Sequence, residues 1–209
     1  MDYTEIEGIY SETFSGLALF YRDTTLAEDL ISRYRVGKII KERGFTDMTY
    51  KGGGLSTNLR YLIASSQAKD LSLFNPDAAE LGQVLLSSNA FFKVLDIYKI
   101  GKKVQIFLLN IPPAGVELFS NATSNAEEDI VKAAREKFNS LINEEPVPEL
   151  QTTDWKERTK APIGMSDEGE FFLQSKQAST QQPTNTRQGN TIERLNNEPE
   201  EQKPWWKFW

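Results

Sequence analysis

Residues 91 to 111 read FFKVLDIYKIGKKVQIFLLNI. Two runs rich in aromatic and β-branched residues are broken only at Gly101-Lys102, and glycine in the first central position suits a II′ hairpin turn. Leu95, Ile97, Ile106, Phe107, Leu108 and Leu109 make both faces of the expected hairpin apolar. Strands of that kind are stable only where something covers each face, so they belong at the centre of a sheet. Pro112-Pro113 ends the pairing because proline has no N–H to donate, and Val116 to Phe119 reads as a short edge strand.

The preceding pattern supplies the cover. Residues 15–22 read as a first strand. Thr25-Leu-Ala-Glu28 has the form of a capping box, followed by Leu26, Leu30 and Tyr34 at helical spacing, which predicts a helix over 26–43 stopped by Gly44. Two strands, 46–51 and 57–65, are expected on either side of Gly52-Gly53-Gly54. Asn75-Pro76-Asp77 is a helix start, since asparagine caps and proline suits the first helical position. Leu81, Val84 and Leu85 continue it as a stripe. Ser124-Asn-Ala-Glu127 opens a further helix carrying Ile130, Ala134, Phe138, Leu141 and Ile142 on one face.

Together these predict an α+β domain over 1–150: a mostly antiparallel sheet of about five to six strands with three helices, in the order β-α-β-β-α-β-β-β-α. Without its first strand, this order is similar to that of roadblock/longin-type and profilin-like modules, and the likeness is one of element order alone. Residues 151–173 hold Trp155, Ile163, Met165, Phe171 and Phe172, and read as a semi-ordered strap across the domain. From Gln174 to Pro204 the only clear hydrophobes are Ala178, Ile192 and Leu195. Such a stretch cannot bury enough apolar area to offset the entropy of ordering, which predicts a disordered C-terminal tail with a polar linker over 174–202.

Composition excludes several chemistries. The chain has no Cys and no His, so disulfides, thiolate nucleophiles and imidazole bases are absent from it. No catalytic motif appears, and the expectation leans against an enzyme; no cofactor and no metal site are expected. The formal net charge of −6 disfavours nucleic acid as a partner. Arg33, Arg35, Lys38, Lys41 and Arg43 read as the wet face of the expected helix. Lys51-Gly52-Gly53-Gly54, with Ser56, could wrap a phosphate, but the lysine precedes the glycines and the reverse order defines a P-loop. A flexible connection is the simpler reading. Asp96, in an apolar strand, is expected to point outward. The acidic N-terminus has no apolar run behind it, which argues against a signal peptide and predicts a cytoplasmic location.

The last seven residues, Lys203-Pro204-Trp205-Trp206-Lys207-Phe208-Trp209, hold three of the four tryptophans. Aromatic side chains kept at a chain end, with Lys203 and Lys207 as orienting charges, predict a docking motif for a protein partner. The acid-then-aromatic ending is similar in its logic to the tails by which single-stranded-DNA-binding proteins recruit partners, although those lack the Trp-rich end. The expected function is therefore a non-enzymatic adaptor. The alternatives are a peripheral membrane protein anchored by the tip at the cytoplasmic face, and a nucleotide or small-ligand domain using Gly52–Gly54. Homo-oligomerisation stays open.

Overall fold

The computed structural model describes residues 2–121 and 125–173. Eight strands and six α-helices occur among them. The strands are β1 (Ala18–Thr24), β2 (Ile39–Lys41), β3 (Thr46–Thr49), β4 (Leu59–Ser65), β5 (Lys69–Asp70), β6 (Gln83–Leu86), β7 (Phe91–Ile100) and β8 (Lys103–Ile111). The helices are α1 (Tyr3–Phe14), α2 (Glu28–Ile31), α3 (Pro76–Leu81), α4 (Val116–Asn121), α5 (Asn125–Leu141) and α6 (Thr153–Thr159).

All eight strands join one sheet in the order β2-β7-β8-β4-β1-β3-β6-β5. The expected hairpin is present: β7 and β8 pair antiparallel from Phe91↔Ile111 to Ile100↔Lys103 around Gly101, whose φ is 57°. It sits near the middle of the sheet because β8 pairs parallel with β4, from Leu59↔Val104 to Ala64↔Leu109. That parallel pair overturns the expectation of a mostly antiparallel sheet of five to six strands with three helices. The sheet is mixed, eight-stranded and accompanied by six helices.

Each local difference has a physical cause. Residues 26–43 do not form one helix. Only Glu28–Ile31 is helical, and its N-cap Ala27 makes no side-chain cap bond. The chain turns at Gly37 (φ 82°) and then extends, so β-branched Ile39 and Ile40 pair with β7 at the sheet edge. Strands β3 and β4 do not form a hairpin across the glycines, because both flank β1. The helix at Asn75 starts as expected, with Asn75 Oδ1 accepting from the Asp77 N–H at 3.0 Å. It stops at Gly82 (φ 59°), so Val84 and Leu85 lie on β6 and not on a helical stripe. Residues 116–119 are helical in α4, not an edge strand. Helix α1 was not expected; Asp2 caps it, and Glu5 returns the bond.

Two clusters cover the sheet. On one face Phe20, Tyr61, Ile63, Ile106 and Leu108 pack with Tyr34, Ile40 and the later residues Ile163 and Met165. On the other, Tyr21, Leu62, Phe107 and Leu109 pack with Ile9 of α1, Phe119 of α4, and Ala134 and Leu141 of α5. Each fully buried side chain of this size contributes about 1.5–3 kcal/mol. Asp96 does not point to solvent. It is 5% exposed and meets Arg135 of α5 through two bonds of 2.8 and 2.7 Å.

Two glycines give opposite predictions. A Cβ on Gly54 would lie 1.8 Å from the Glu144 carbonyl oxygen, whereas nothing lies within 4 Å of one on Gly8 inside α1. Urea denaturation is expected to show Gly54→Ala destabilised by about 3 kcal/mol, since backbone must move. Gly8→Ala is expected to be stabilised by about 0.5–1 kcal/mol through helix propensity.

Candidate functional site

Strand β1 ends in Arg22-Asp23-Thr24, three polar residues after an apolar run. Opposite Asp23 in the register stands Arg60 of β4. Arg60 donates from Nε to Asp23 Oδ1 and from Nη2 to Asp23 Oδ2, both at 2.7 Å. Its Nη2 also donates to Gly53 O at 2.9 Å, and its guanidinium lies 5.2 Å from the Tyr21 ring centroid. The Arg60 side chain is 1% exposed and the Asp23 side chain 24%. A carboxylate is thus held rigidly with one side open to solvent, and no side-chain reorganisation is needed to meet a ligand.

That open side faces a cleft of about 350 Å³ lined by Asp23, Thr25, Ser56, Thr57, Lys156 and Lys160, among others. Helix α6 forms the far wall. It docks through Trp155, which is 2% exposed, through Thr159 Oγ1 donating to Asp23 O at 3.3 Å, and through Thr24 Oγ1 donating to Lys160 O at 3.2 Å. Lys160 is paired with Glu157 at 2.6 Å. Lys156 has no carboxylate partner among the described residues. The floor is formed by Ser56 and Thr57. Ser56 Oγ donates to Gln151 Oε1 at 2.7 Å. Asn58 ties the β1–α2 turn by exchanging bonds with Leu26, 3.0 Å from the Leu26 N–H and 2.7 Å to Leu26 O.

The glycine run next to this floor is a packing junction. Gly54 N–H donates to Glu145 O at 3.0 Å, and a Cβ on Gly53 would meet Val147 at 2.8 Å. Lys51 reaches Glu80 O and lies 3.6 Å from Glu149. Of the five candidate loop residues, Ser56 alone lines the cleft. Asp23 and Lys156 were missed by sequence reasoning. The signal that could have found Asp23 is the abrupt polar ending of an otherwise apolar strand.

Beneath the other face, residues 160–172 lie across a polar tier. Arg22, 5% exposed, donates from Nη2 to Ala161 O at 2.9 Å, while its Nε has no partner. Burial lowers its pKa from the usual guanidinium value. Tyr34 and Tyr61 share a hydroxyl contact of 2.7 Å; Tyr34 also donates to Ile163 O, and Tyr61 accepts from the Ile163 N–H at 3.3 Å. Burial raises the Tyr34 pKa well above the ordinary value and pushes Tyr61 up to about 12. The basic residues at 33–43 do not form the wet face of a helix. Lys38 sits 3.3 Å from the Phe171 ring centroid and Arg43 4.6 Å from that of Phe172, while Arg33 donates to Gly169 O at 3.0 Å.

No family model matches the chain, and no curated protein matches it. Solved structures do. The type III effector XopAI from Xanthomonas axonopodis pv. citri is 19% identical with a TM-score of 0.40, over 48% of this chain and 46% of that one. The ADP-ribosyltransferase HopU1 of Pseudomonas syringae pv. Tomato is 18% identical at 0.40, over 46% and 45%. Exoenzyme S from Pseudomonas aeruginosa, in complex with human 14-3-3 protein beta and bound to carba-NAD, is 14% identical at 0.43, over 60% and 62%. The chain therefore spans about half to three-fifths of the length of these structures. Named ADP-ribosyltransferases and exoenzymes stand where a non-enzymatic adaptor was expected, and that expectation is corrected accordingly. The motif Lys203–Trp209 on which it rested lies outside the described residues, as does the linker before it. Among the described residues, no helix is long and apolar enough to cross a membrane.

The buried tyrosines make a prediction. Both hydroxyls have folded-state pKa values above the ordinary 10.0, so the folded chain holds those protons longer than the unfolded one. The contribution of Tyr61 is complete below pH 10 and is lost as pH rises through about 12, and that of Tyr34 is lost in the same direction above pH 10. Stability followed by urea denaturation is expected to fall over that window. Tyrosinate absorbance from Tyr34 and Tyr61 is expected to appear at higher pH than in the urea-unfolded chain.

Proposed function

We propose that the domain holds a hydroxyl-bearing, phosphorylated small molecule of the nucleotide class in the Asp23 cleft. The observation that carries the reading is the Asp23 carboxylate, fixed by two 2.7 Å bonds from buried Arg60 and still open on one side to the cleft. A carboxylate held in this way is a ready acceptor for a ligand diol. Its orientation is set before binding, which lowers the entropic cost of recognition. The hydroxyls of Thr25, Ser56 and Thr57 offer further partners on the same floor. Lys156, on the facing helix, supplies an unpaired positive charge for the phosphate. The polar lining and the volume both suit a small, hydrophilic ligand.

Calorimetric titration of the full chain with NAD, ADP-ribose, ADP and ribose 5-phosphate tests this. NAD comes first because one of the similar structures is bound to carba-NAD. Nicotinamide release in the same samples reports whether a bound ligand turns over. At least one of the four is expected to bind saturably. Lys156→Glu is expected to weaken it about tenfold or more, equivalent to about 1.4 kcal/mol. Because Lys156 is exposed and has no carboxylate partner among the described residues, the melting temperature should stay unchanged. No saturable heat with any of the four, or equal affinity in Lys156→Glu, would overturn the reading.

A further inference from the structure

A second cavity, of about 320 Å³, opens on the other side of Asn58, between α2 and the ends of β7 and β8. Its walls divide by chemistry. Ile31, Ile97 and Val104 form an apolar floor that runs into the buried cluster around Tyr34. Arg35, Lys99 and Lys102 stand on the rim, all exposed. Lys99 is held by its place in β7 opposite Val104, and Lys102 by the two-residue turn at Gly101. Neither lysine has a carboxylate partner among the described residues. Arg35 donates to the carbonyls of Ser32 and Tyr34 and keeps its charge unneutralised. Glu28 is the single carboxylate in the lining.

Three cations over one carboxylate is a local positive surplus in a chain whose formal net charge is −6. Like charges repel when they stand together, so a rim of this kind is stabilised by an anion. The floor adds a second requirement, since exposed apolar surface at the bottom of a cavity gains free energy when an apolar body covers it. We propose that this cavity binds an amphiphilic anion: a phosphate monoester carrying an apolar, ring-sized body. The phosphate meets Lys99, Lys102 and Arg35, while the ring lies on Ile31, Ile97 and Val104. This site is separate from the Asp23 cleft, because the two linings share no residue.

The test uses the full chain and three probes: phenyl phosphate, inorganic phosphate and benzyl alcohol. Binding is followed by amide chemical shifts at Asn58, Ile97 and Lys99. Phenyl phosphate is expected to saturate these shifts with an affinity at least about tenfold above either other probe, because it alone meets both halves of the cavity. The double variant Lys99→Glu/Lys102→Glu should lose that binding about tenfold or more with its melting temperature unchanged, and Lys156→Glu should leave it as it is. Equal affinity for phenyl phosphate and inorganic phosphate would mean charge attraction alone and would overturn the proposal. So would shifts that cluster at Asp23 and Lys156, or no saturable shift with any probe. Failure here leaves the Asp23 cleft to be judged by its own titration.

Discussion

A guanidinium sits inside the sheet. Arg60 is 1% exposed, lies on β4 between β1 and β8, and its charge is answered by Asp23 across the β1–β4 ladder. Removing one member of such a pair leaves a buried charge uncompensated, at a cost of about 3–5 kcal/mol. The pair therefore constrains its surroundings. It fixes the register where β1 leaves the sheet, draws Gly53 close enough to accept a bond at 2.9 Å, and leaves Asp23 as the one exposed end of a rigid unit. Both cavities open from the ground this pair stabilises, one beside Asp23 and one beyond Asn58.

The rest of the molecule serves to cover a sheet that is apolar on both faces. Helices α1, α4 and α5 cover one side. The other side is closed by the segment around α2 and by residues 160–172, whose main chain bonds to Arg22, Thr24, Tyr34 and Tyr61. Ile163 and Met165, at 0% and 2% exposure, are as deeply buried as any strand residue. This late segment belongs to the core that the strands began, and the polar groups beneath it would be costly to bury without it.

Local signals in the sequence were read well where the deciding interactions are local. The β7–β8 hairpin follows from two apolar runs around Gly101, and the starts of α3 and α5 follow from a cap and a 3.6-residue stripe. Reading failed where a distant partner decided the outcome. Leu26, Leu30 and Tyr34 have helical spacing, yet the neighbouring Ile39 and Ile40 gain more as an edge strand on β7. The parallel β4–β8 contact joins segments some 45 residues apart in register and leaves no local trace. For the same reason the site was largely hidden. Ser56 could be singled out beside its glycines, but Asp23 and Arg60 become a pair only once β1 and β4 are aligned, and Lys156 reaches the cleft only once α6 docks.

The most direct test of this account is a double-mutant cycle on the clamp, with Asp23→Leu, Arg60→Met and their combination compared by urea denaturation. Each single variant is expected to lose about 3–5 kcal/mol, and the double variant much less than their sum, with a coupling of at least about 2 kcal/mol. Losses that add to within about 0.5 kcal/mol would show two independent side chains. The rigid carboxylate on which the binding cleft depends would then not exist.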